Sequence, residues 1–420
     1  MSHDASSKLK IAVWHNLPSG GGKRALWQHI VGLQRRGHYI ESWCPVSVAT
    51  GYLPFSQICR EHALPLVTPK RIRFLNSAAD FLLIKARIEA MRAHSRACAE
   101  QIHAGGFDVL LANSCASFAM PAVGRYVEMP KAVYLQEPYR RFYEALPESF
   151  WAAPLPEKFQ SVTSLRRLTA TTLRLQAARV QMREEIENAK HFDRVLVNSF
   201  FSRESLLRAY GVESEVCYLG IDTDLFHPTH EPVENYVISL GAVHFHKGAD
   251  RAIRGLAVIP PARRPKLVWV GNDAGTSYVA EMKALAKQLG VEFEVKVMVT
   301  DAELVSLLSR ATALLYASRL EPFGLAPLEA NACGTPVIAI AEGGVRESIA
   351  PGENGWLVAD ARPETIAAAV QKLMAQPALA VELRDRCRNT VVARWGMDAA
   401  AERLEKALLA TVNGHRPATA

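Results

Sequence analysis

The sequence predicts an α/β protein built as two doubly wound, Rossmann-like domains, and three observations carry that expectation. The chain has 420 residues, at least twice the span of an ordinary single core. Short strands that are apolar on both faces alternate with helical patterns, as in a parallel sheet covered by helices. The strand, glycine turn and helix that open the chain recur midway, beyond a polar break.

Taken in order, residues 1–10 are polar and precede no apolar stretch with a small-residue cleavage site, so no secretory leader is expected. Residues 11–15 read as a strand, Ser19-Gly20-Gly21-Gly22 as a turn, and 23–36 as a helix closed by Gly37. Further strands are expected at 109–112, 132–135 and 194–197, and an Arg-rich helix from about residue 164. The break at 220–235 holds Asp222, Asp224, Pro228 and Pro232 and lacks an apolar period. Beyond it come strand 236–240, turn 241–248, helix 249–258, strand 267–270, helix 278–289, strand 293–297, helix 302–310 and strand 313–317. A last helix is expected at 398–412, after Arg394-Trp395-Gly396. The expected domains are therefore 1–222 and 223–397, with 398–420 as a helix crossing back to the first domain and a tail. Two such domains on one linker would face a cleft lined by the carboxyl ends of both sheets.

Hydrophobic residues are 49% and charged residues 22% of the chain, which excludes disorder, collagen and coiled coil. The net charge is +7, and it is unevenly placed. Up to Asp222 there are 28 Lys/Arg and 20 Asp/Glu; from Thr223 onward there are 21 and 22. The basic excess belongs to the first half, which points to an anionic partner there. The seven cysteines are odd in number and include no C-x-x-C pair, so a reducing compartment and no zinc site are expected. No run reaches the roughly 18 apolar residues that a membrane span needs. The expected location is the cytoplasm, peripherally on the inner face of the membrane.

The strongest chemical constellation is Ser318-Arg-Leu-Glu321-Pro-Phe323-Gly324-Leu325-Ala-Pro-Leu-Glu329, followed by Gly334-Thr-Pro336. A buried strand ends before it, a loop carries Glu321, and a helix stopped by Gly334 carries Glu329. The Phe323, Gly324 and Leu325 amides fall at the helix start, where unpaired N–H groups and the positive dipole end favour phosphate. Carboxylates for sugar hydroxyls beside amides for phosphate describe a nucleotide-sugar site.

These residues resemble the retaining glycosyltransferases of family 4, whose two-domain architecture is called GT-B. The family's Glu, seven residues, Glu pattern is met by Glu321 and Glu329 with its E-P-F-G-L flank. The resemblance implies that Glu321 contacts the transferred sugar and Glu329 the ribose hydroxyls. Gly241-Ala242-Val-His244-Phe-His246-Lys247-Gly248 resembles the family's G-R-L-x-x-x-K-G segment, which makes Lys247 the cation that stabilises the leaving diphosphate. Ala242 stands where the family has Arg, so His244 or another cation would take its place. Asn272 would meet the base edge at a strand end. Glu342-Gly343-Gly344 would let backbone approach the sugar or diphosphate, with Glu347 supporting the turn. Asp222 would fix the hinge, and Asn198 and Ser199 would cap the next helix.

In the first half, Gly21 and Gly22 fail the P-loop pattern, since Leu17 replaces its first Gly and Arg24 its Ser/Thr. The resemblance places them at the diphosphate; a plain strand-to-helix turn is the other reading. Gln136 stands where many relatives have His, and Gln cannot shuttle a proton. Glu137 is its substitute if it faces the acceptor, or pairs with Arg140 or Arg141 if not. Gln136, Glu137 and Arg140 form the expected acceptor side.

The resemblance thus implies transfer of a hexosyl-type sugar from a nucleotide-diphosphate donor to an acceptor hydroxyl, with Glu321 and Lys247 as the catalytic pair. No metal or other cofactor is expected, because no D-x-D pattern follows a strand. Residues 70–96 and 140–183 each carry a net charge of +5 with interspersed Phe74, Phe81, Leu82, Phe142, Tyr143, Phe150 and Trp151. They suggest a glycan or lipid-linked acceptor and an anionic membrane surface as partners, and no nucleic-acid motif appears. The alternative is a degenerate GT-B protein that binds a nucleotide sugar or an anionic partner without catalysis.

Overall fold

The structure, a computed structural model, describes residues 8–49, 51–69, 76–145, 149, 151–152, 162–271 and 277–415. Asn272, Lys70, Phe74 and Phe150 lie outside the described residues. Clustering of contacts separates two compact units. The first comprises residues up to Asn198, Ser202–Cys217 and Ala401 onward; the second comprises Ser199–Phe201 and Tyr218–Ala400.

The first unit is built on seven strands: β1 (Lys10–Asn16), β2 (Tyr39–Pro45), β3 (Arg60–Leu64), β4 (Val109–Cys115), β5 (Lys131–Tyr134), β6 (Arg194–Val197) and β7 (Glu215–Val216). They form one parallel sheet in the order β3-β2-β1-β4-β5-β6-β7. The inner strands need no polar face because helices cover both sides: Ile11, Ala12, Val13 and Trp14 of β1 and Leu110, Leu111 and Ala112 of β4 are inaccessible to solvent. The helix Gly21–Arg35 follows β1 directly. The long helices Asn76–Gly105 and Val162–Ala189 lie side by side. From Ala401 the terminal helix Met397–Gly414 clusters with this unit. There Glu405 accepts from Arg36 Nε at 2.8 Å and faces His38 Nε2 at 2.7 Å.

The second unit repeats the plan with six parallel strands: β8 (Tyr236–Leu240), β9 (Lys266–Gly271), β10 (Phe293–Val297), β11 (Ala313–Tyr316), β12 (Val337–Ile340) and β13 (Gly355–Val358). Their order is β10-β9-β8-β11-β12-β13. Its core joins Val237, Trp269, Leu315 and Ile338 to Ile253 and Leu256 of the helix Ala249–Val258 and to Ile366 and Val370 of Pro363–Met374. The segment after Ile221 is held from inside the unit. Asp222 Oδ1 accepts from the Asp224 and Leu225 amides at 2.9 and 3.1 Å, and Arg388 donates to the Thr223 and Phe226 carbonyls. The expected hinge residue is thus the head of an Asx turn.

Both sheets are doubly wound, and each changes winding direction once. The switch falls between β1 and β4 in the first unit and between β8 and β11 in the second. Crevices at the carboxyl ends of strands flanking such a switch are where ligands bind in this class of fold.

Candidate functional site

The second unit places its two strongest motifs on either side of its switch point. The Gly241–Gly248 turn leaves β8, and the Glu321 loop leaves β11, its neighbour in the sheet. Gly241 has φ 126° and Gly248 φ 80°, both in the left-handed region that only glycine adopts readily. Gly248 is doubly required, since a Cβ there would lie 2.3 Å from the Ala317 carbonyl. Between them a single 3₁₀ turn, Phe245–Lys247, aims Lys247 across at β11.

The two residues assigned to catalysis meet. Lys247 Nζ lies 2.8 Å from both Oε1 and Oε2 of Glu321, and both side chains are largely shielded from solvent. Ser318 donates to Glu321 Oε2 at 2.7 Å. Beneath them stands Tyr316, the last residue of β11, which sequence reading did not single out. Its hydroxyl is buried beside Ser318 and Glu321. Burial first, and then the Glu321 and Glu329 charges, push its ionisation well above the usual range for a phenol. Tyr316 therefore stays a neutral donor within the field of both motif carboxylates. The signal available in sequence was only a polar-tipped aromatic at the end of an otherwise aliphatic strand.

Glu329 lies in the helix Leu325–Ala332, begun by Gly324 at φ 94° and followed by Gly334 at φ 79°. It is 8% exposed, one of few charged side chains so deeply placed. The helix starts at Leu325, so Phe323 and Gly324 precede its first turn and Leu325 opens it, where amides have no partner within the helix. Phe323 itself is buried against Tyr218 and Trp395. Its side chain is part of the packing, and only its backbone faces the turn.

The Gly343–Gly344 pair acts differently from expectation. The close approach it permits is taken up by protein backbone: a Cβ at Gly343 would lie 2.4 Å from the Glu321 carbonyl oxygen, and one at Gly344 2.0 Å from that of Pro322. The Gly344 amide donates to Glu321 O at 2.8 Å. These glycines fix the loop that carries Glu321. Ser199 Oγ donates to the Pro322 carbonyl and holds the same loop from another side. Asn198 accepts from Ser202 at 2.7 Å in the first unit. Glu347 accepts from the Phe200 and Phe201 amides at 2.9 and 3.1 Å and from Tyr218 at 2.9 Å, so it caps a helix start.

Ala242 leaves the family Arg position empty of charge, but two other arginines border the turn. Arg251 donates from Nε to the Ala317 carbonyl at 3.0 Å and from one terminal nitrogen to the Phe245 and His246 carbonyls. Arg319 pairs with Glu342 at 2.6 Å, and its amide donates to His246 O. Arg251 is mainly a brace for the turn. His244 stacks on His246 with centroids 5.1 Å apart.

In the first unit, Gly22 and Gln136 are brought together. Gln136 Nε2 donates to the Gly22 carbonyl at 3.2 Å, and a Cβ on Gly22 would meet the same carboxamide at 3.2 Å. Gly21 is the exposed first residue of the helix after β1, preceded by Gly20 at φ 144°. Lys23 is buried and donates to the Val48 carbonyl at 2.8 Å, consistent with the failed P-loop pattern. Arg140 binds Glu144 at 2.8 Å with Glu137 at 3.6 Å, so the pairing read for Glu137 is present.

With this geometry in view, comparison with known proteins is specific. Residues 221–391, most of the second unit, match the family described as glycosyl transferases group 1. D-inositol 3-phosphate glycosyltransferase 1 of Catenulispora acidiphila is 29% identical over 246 residues, covering 53% of this chain and 59% of that protein. The chain thus spans a little over half the length of that curated relative. Among solved structures, sucrose-phosphate synthase from Thermosynechococcus elongatus superposes with a TM-score of 0.68 at 21% identity, covering 97% of this chain and all of that one. Anabaena HepE in complex with UDP-glucose gives 0.65 at 17% identity, covering 96% of this chain and 100% of that one. These likenesses establish the GT-B fold, and residues 221–391, within the second unit, are similar to the group 1 glycosyl transferases.

Proposed function

We propose that this protein is a retaining glycosyltransferase that moves a hexosyl-type sugar from a nucleotide-diphosphate donor to an acceptor hydroxyl. The observation that carries the reading is the Lys247–Glu321 pair at the switch point of the second sheet, with Glu329 in the adjoining helix. The Anabaena HepE structures in complex with UDP and with UDP-glucose support a nucleotide-sugar donor for this fold.

In this reading the diphosphate takes over Lys247 from Glu321 and rests on the Leu325 end of its helix, with Gly241 and His244 beside it. That swap releases the Glu321 carboxylate for the sugar while the ammonium stabilises the leaving phosphate as charge develops on it. Glu329 receives the ribose, and Asn272 the base edge. The acceptor hydroxyl attacks on the face the nucleotide leaves, and the departing phosphate oxygen takes its proton. The anomeric carbon–oxygen bond to phosphate breaks as that to the acceptor forms, with configuration retained. Gly21 and Gly22 serve the donor and Gln136, Glu137 and Arg140 the acceptor side. The acceptor is a lipid-linked or polysaccharide glycan intermediate, presented at an anionic surface.

Two measurements test this. UDP-, GDP- and ADP-sugars are screened for thermal stabilisation, and one class is expected to raise the unfolding temperature by selective binding to the native state. With the donor so found, Glu321→Ala is expected to reduce nucleotide release by at least about 100-fold, the scale of losing one charge-stabilising group. Undiminished turnover in that variant rules out the assigned role. Binding without any turnover in the unaltered protein supports the non-catalytic alternative.

A further inference from the structure

A second cluster of chemically capable side chains lies in the first unit. Val13 pairs with Ser42 and Ser42 with Glu61, so in this parallel sheet every second residue from these positions projects from one face. That parity puts His15 of β1, Cys44 of β2 and Glu61 of β3 on the same face, near the carboxyl end of β1 and β2. Their donor atoms all lie within 4.8 Å of one another, and no other such group is found among the described residues.

The distances are informative. His15 Nε2 and Cys44 Sγ each lie 3.5 Å from the same oxygen, Glu61 Oε1. For a nitrogen donor this is beyond a normal hydrogen bond of about 2.7–3.2 Å. It is close to the edge of a tetrahedron around zinc, which bond lengths of about 2.0–2.3 Å to nitrogen, oxygen and sulfur set at roughly 3.3–3.8 Å. His15 is wholly buried; its Nε2 faces only Glu61, at ion-pair distance, and its Nδ1 has no hydrogen-bond partner. A buried imidazole held only by one long contact to a carboxylate is poorly satisfied, and a cation between the two would bind both. The surroundings are dry on one side, where Phe55 packs on the His15 ring at 4.6 Å. Lys23 is the nearby cation, and its ammonium is engaged by the Val48 carbonyl. The Ser56 amide donates to Glu61 Oε2 at 3.1 Å and leaves Oε1 to the cluster.

We propose that His15, Cys44 and Glu61 form a zinc-binding site that ties the edge strand β3 through β2 to β1. A mixed nitrogen, sulfur and oxygen donor set suits Zn²⁺ above harder or softer ions, and three protein ligands leave a fourth position for solvent. One thiolate and one carboxylate balance the ion's charge. The cysteine spacing argued against zinc because it tests only ligands close in the chain. Here residues 15, 44 and 61 are joined by strand pairing, which no local motif records.

The test uses the full chain without a metal-binding tag, stripped with chelator and titrated with Co²⁺ as a spectroscopic substitute. One Co²⁺ per chain is expected, with the near-ultraviolet thiolate-to-cobalt absorption. Cys44→Ser should abolish that absorption, while Cys59→Ser keeps it. Glu61→Gln should weaken binding by at least about 100-fold, since loss of even an outer partner costs 10–100-fold. Zn²⁺ should raise the unfolding temperature of the unaltered chain and leave that of Glu61→Gln unchanged. Failure of the unaltered chain to bind stoichiometric Co²⁺, or survival of the absorption in Cys44→Ser, overturns the site. Should Cys44→Ser fail to fold, the unaltered chain and Glu61→Gln decide the matter.

Discussion

At the scale of single residues, the candidate site depends on backbone that only glycine allows. Gly343 has φ 67°, and its missing Cβ leaves room for the Glu321 carbonyl oxygen 2.4 Å away. Gly343→Ala must therefore both strain its own backbone and push the loop that carries Glu321. Gly352 is a matched control: φ is 83°, but a Cβ there would meet nothing within 4 Å. Gly352→Ala should cost only the left-handed penalty, about 1–2 kcal/mol. Gly343→Ala should cost roughly 1–3 kcal/mol more through overpacking, and should also lower turnover. Denaturant unfolding and nucleotide release on both variants check this; equal stabilities would mean the loop yields freely. The sequence showed the Gly-Gly pair but assigned its space to a ligand. Which atoms fill a gap beside a glycine is a tertiary fact with no local signature. For the same reason Glu321 and Lys247 were legible as motif members, whereas their direct pairing and the Tyr316 hydroxyl beneath them were not.

At the scale of elements, burial alone did not decide legibility: the buried β2 and β12 were missed, and the half-buried β10 was found. The strands found from sequence, such as β1, β4, β6 and β8, are continuous apolar runs in the sheet interior. Of those missed, β2 carries Glu41 and Ser42, and β3 reads Arg-Glu-His-Ala-Leu, the pattern of an exposed edge. An edge strand faces solvent and is coded by its pairing, which apolar periodicity cannot report. The helix Val162–Ala189 was legible, but its packing brings a consequence that was not. Glu185 is fully buried there, accepting from Gln181 at 2.7 Å and from the Tyr210 hydroxyl. Burial pushes its carboxyl up to about 7, against the pull of those donors. A raised acid is neutral in both states below its unfolded value of about 4.5, so its contribution is fully present there. It is lost as pH rises through about 7, when the folded protein must hold a buried charge. Between pH 4.5 and 8 this amounts to roughly 3 kcal/mol. Glu185→Gln, whatever its absolute stability, should remove that slope. The difference between the two unfolding free energies, measured across this range in urea, should therefore shift in favour of the variant as pH rises; a constant difference would show that Glu185 does not titrate there.

At the scale of the whole molecule, the charge asymmetry gains a location. The first unit carries a groove of about 660 Å³ between the helices Asn76–Gly105 and Val162–Ala189, lined by Lys85, Arg92, Arg179 and Arg183 with Glu89 and Glu184. Arg92 is engaged by Glu184 at 2.6 Å and Glu89 at 2.9 Å, and four cations against two acids leave the lining positive. Toward the N-terminal ends of the same helices Phe81, Leu82, Leu165 and Leu168 are exposed. Cations with apolar tips are what an anionic bilayer surface retains, the first through headgroup charge and the second through burial at the acyl boundary. No described helix is long and apolar enough to cross a membrane. The two contributions separate by salt, because the screening length falls from about 10 Å at 0.1 M to about 3 Å at 1 M while apolar burial is not screened. In flotation with vesicles containing phosphatidylserine, the protein should float at low salt and leave the vesicles as salt rises. Lys85→Glu with Arg179→Glu should prevent capture at low salt. Leu165→Ser with Leu168→Ser should weaken it at every salt concentration. A protein that stays in the soluble fraction at low salt has no such surface.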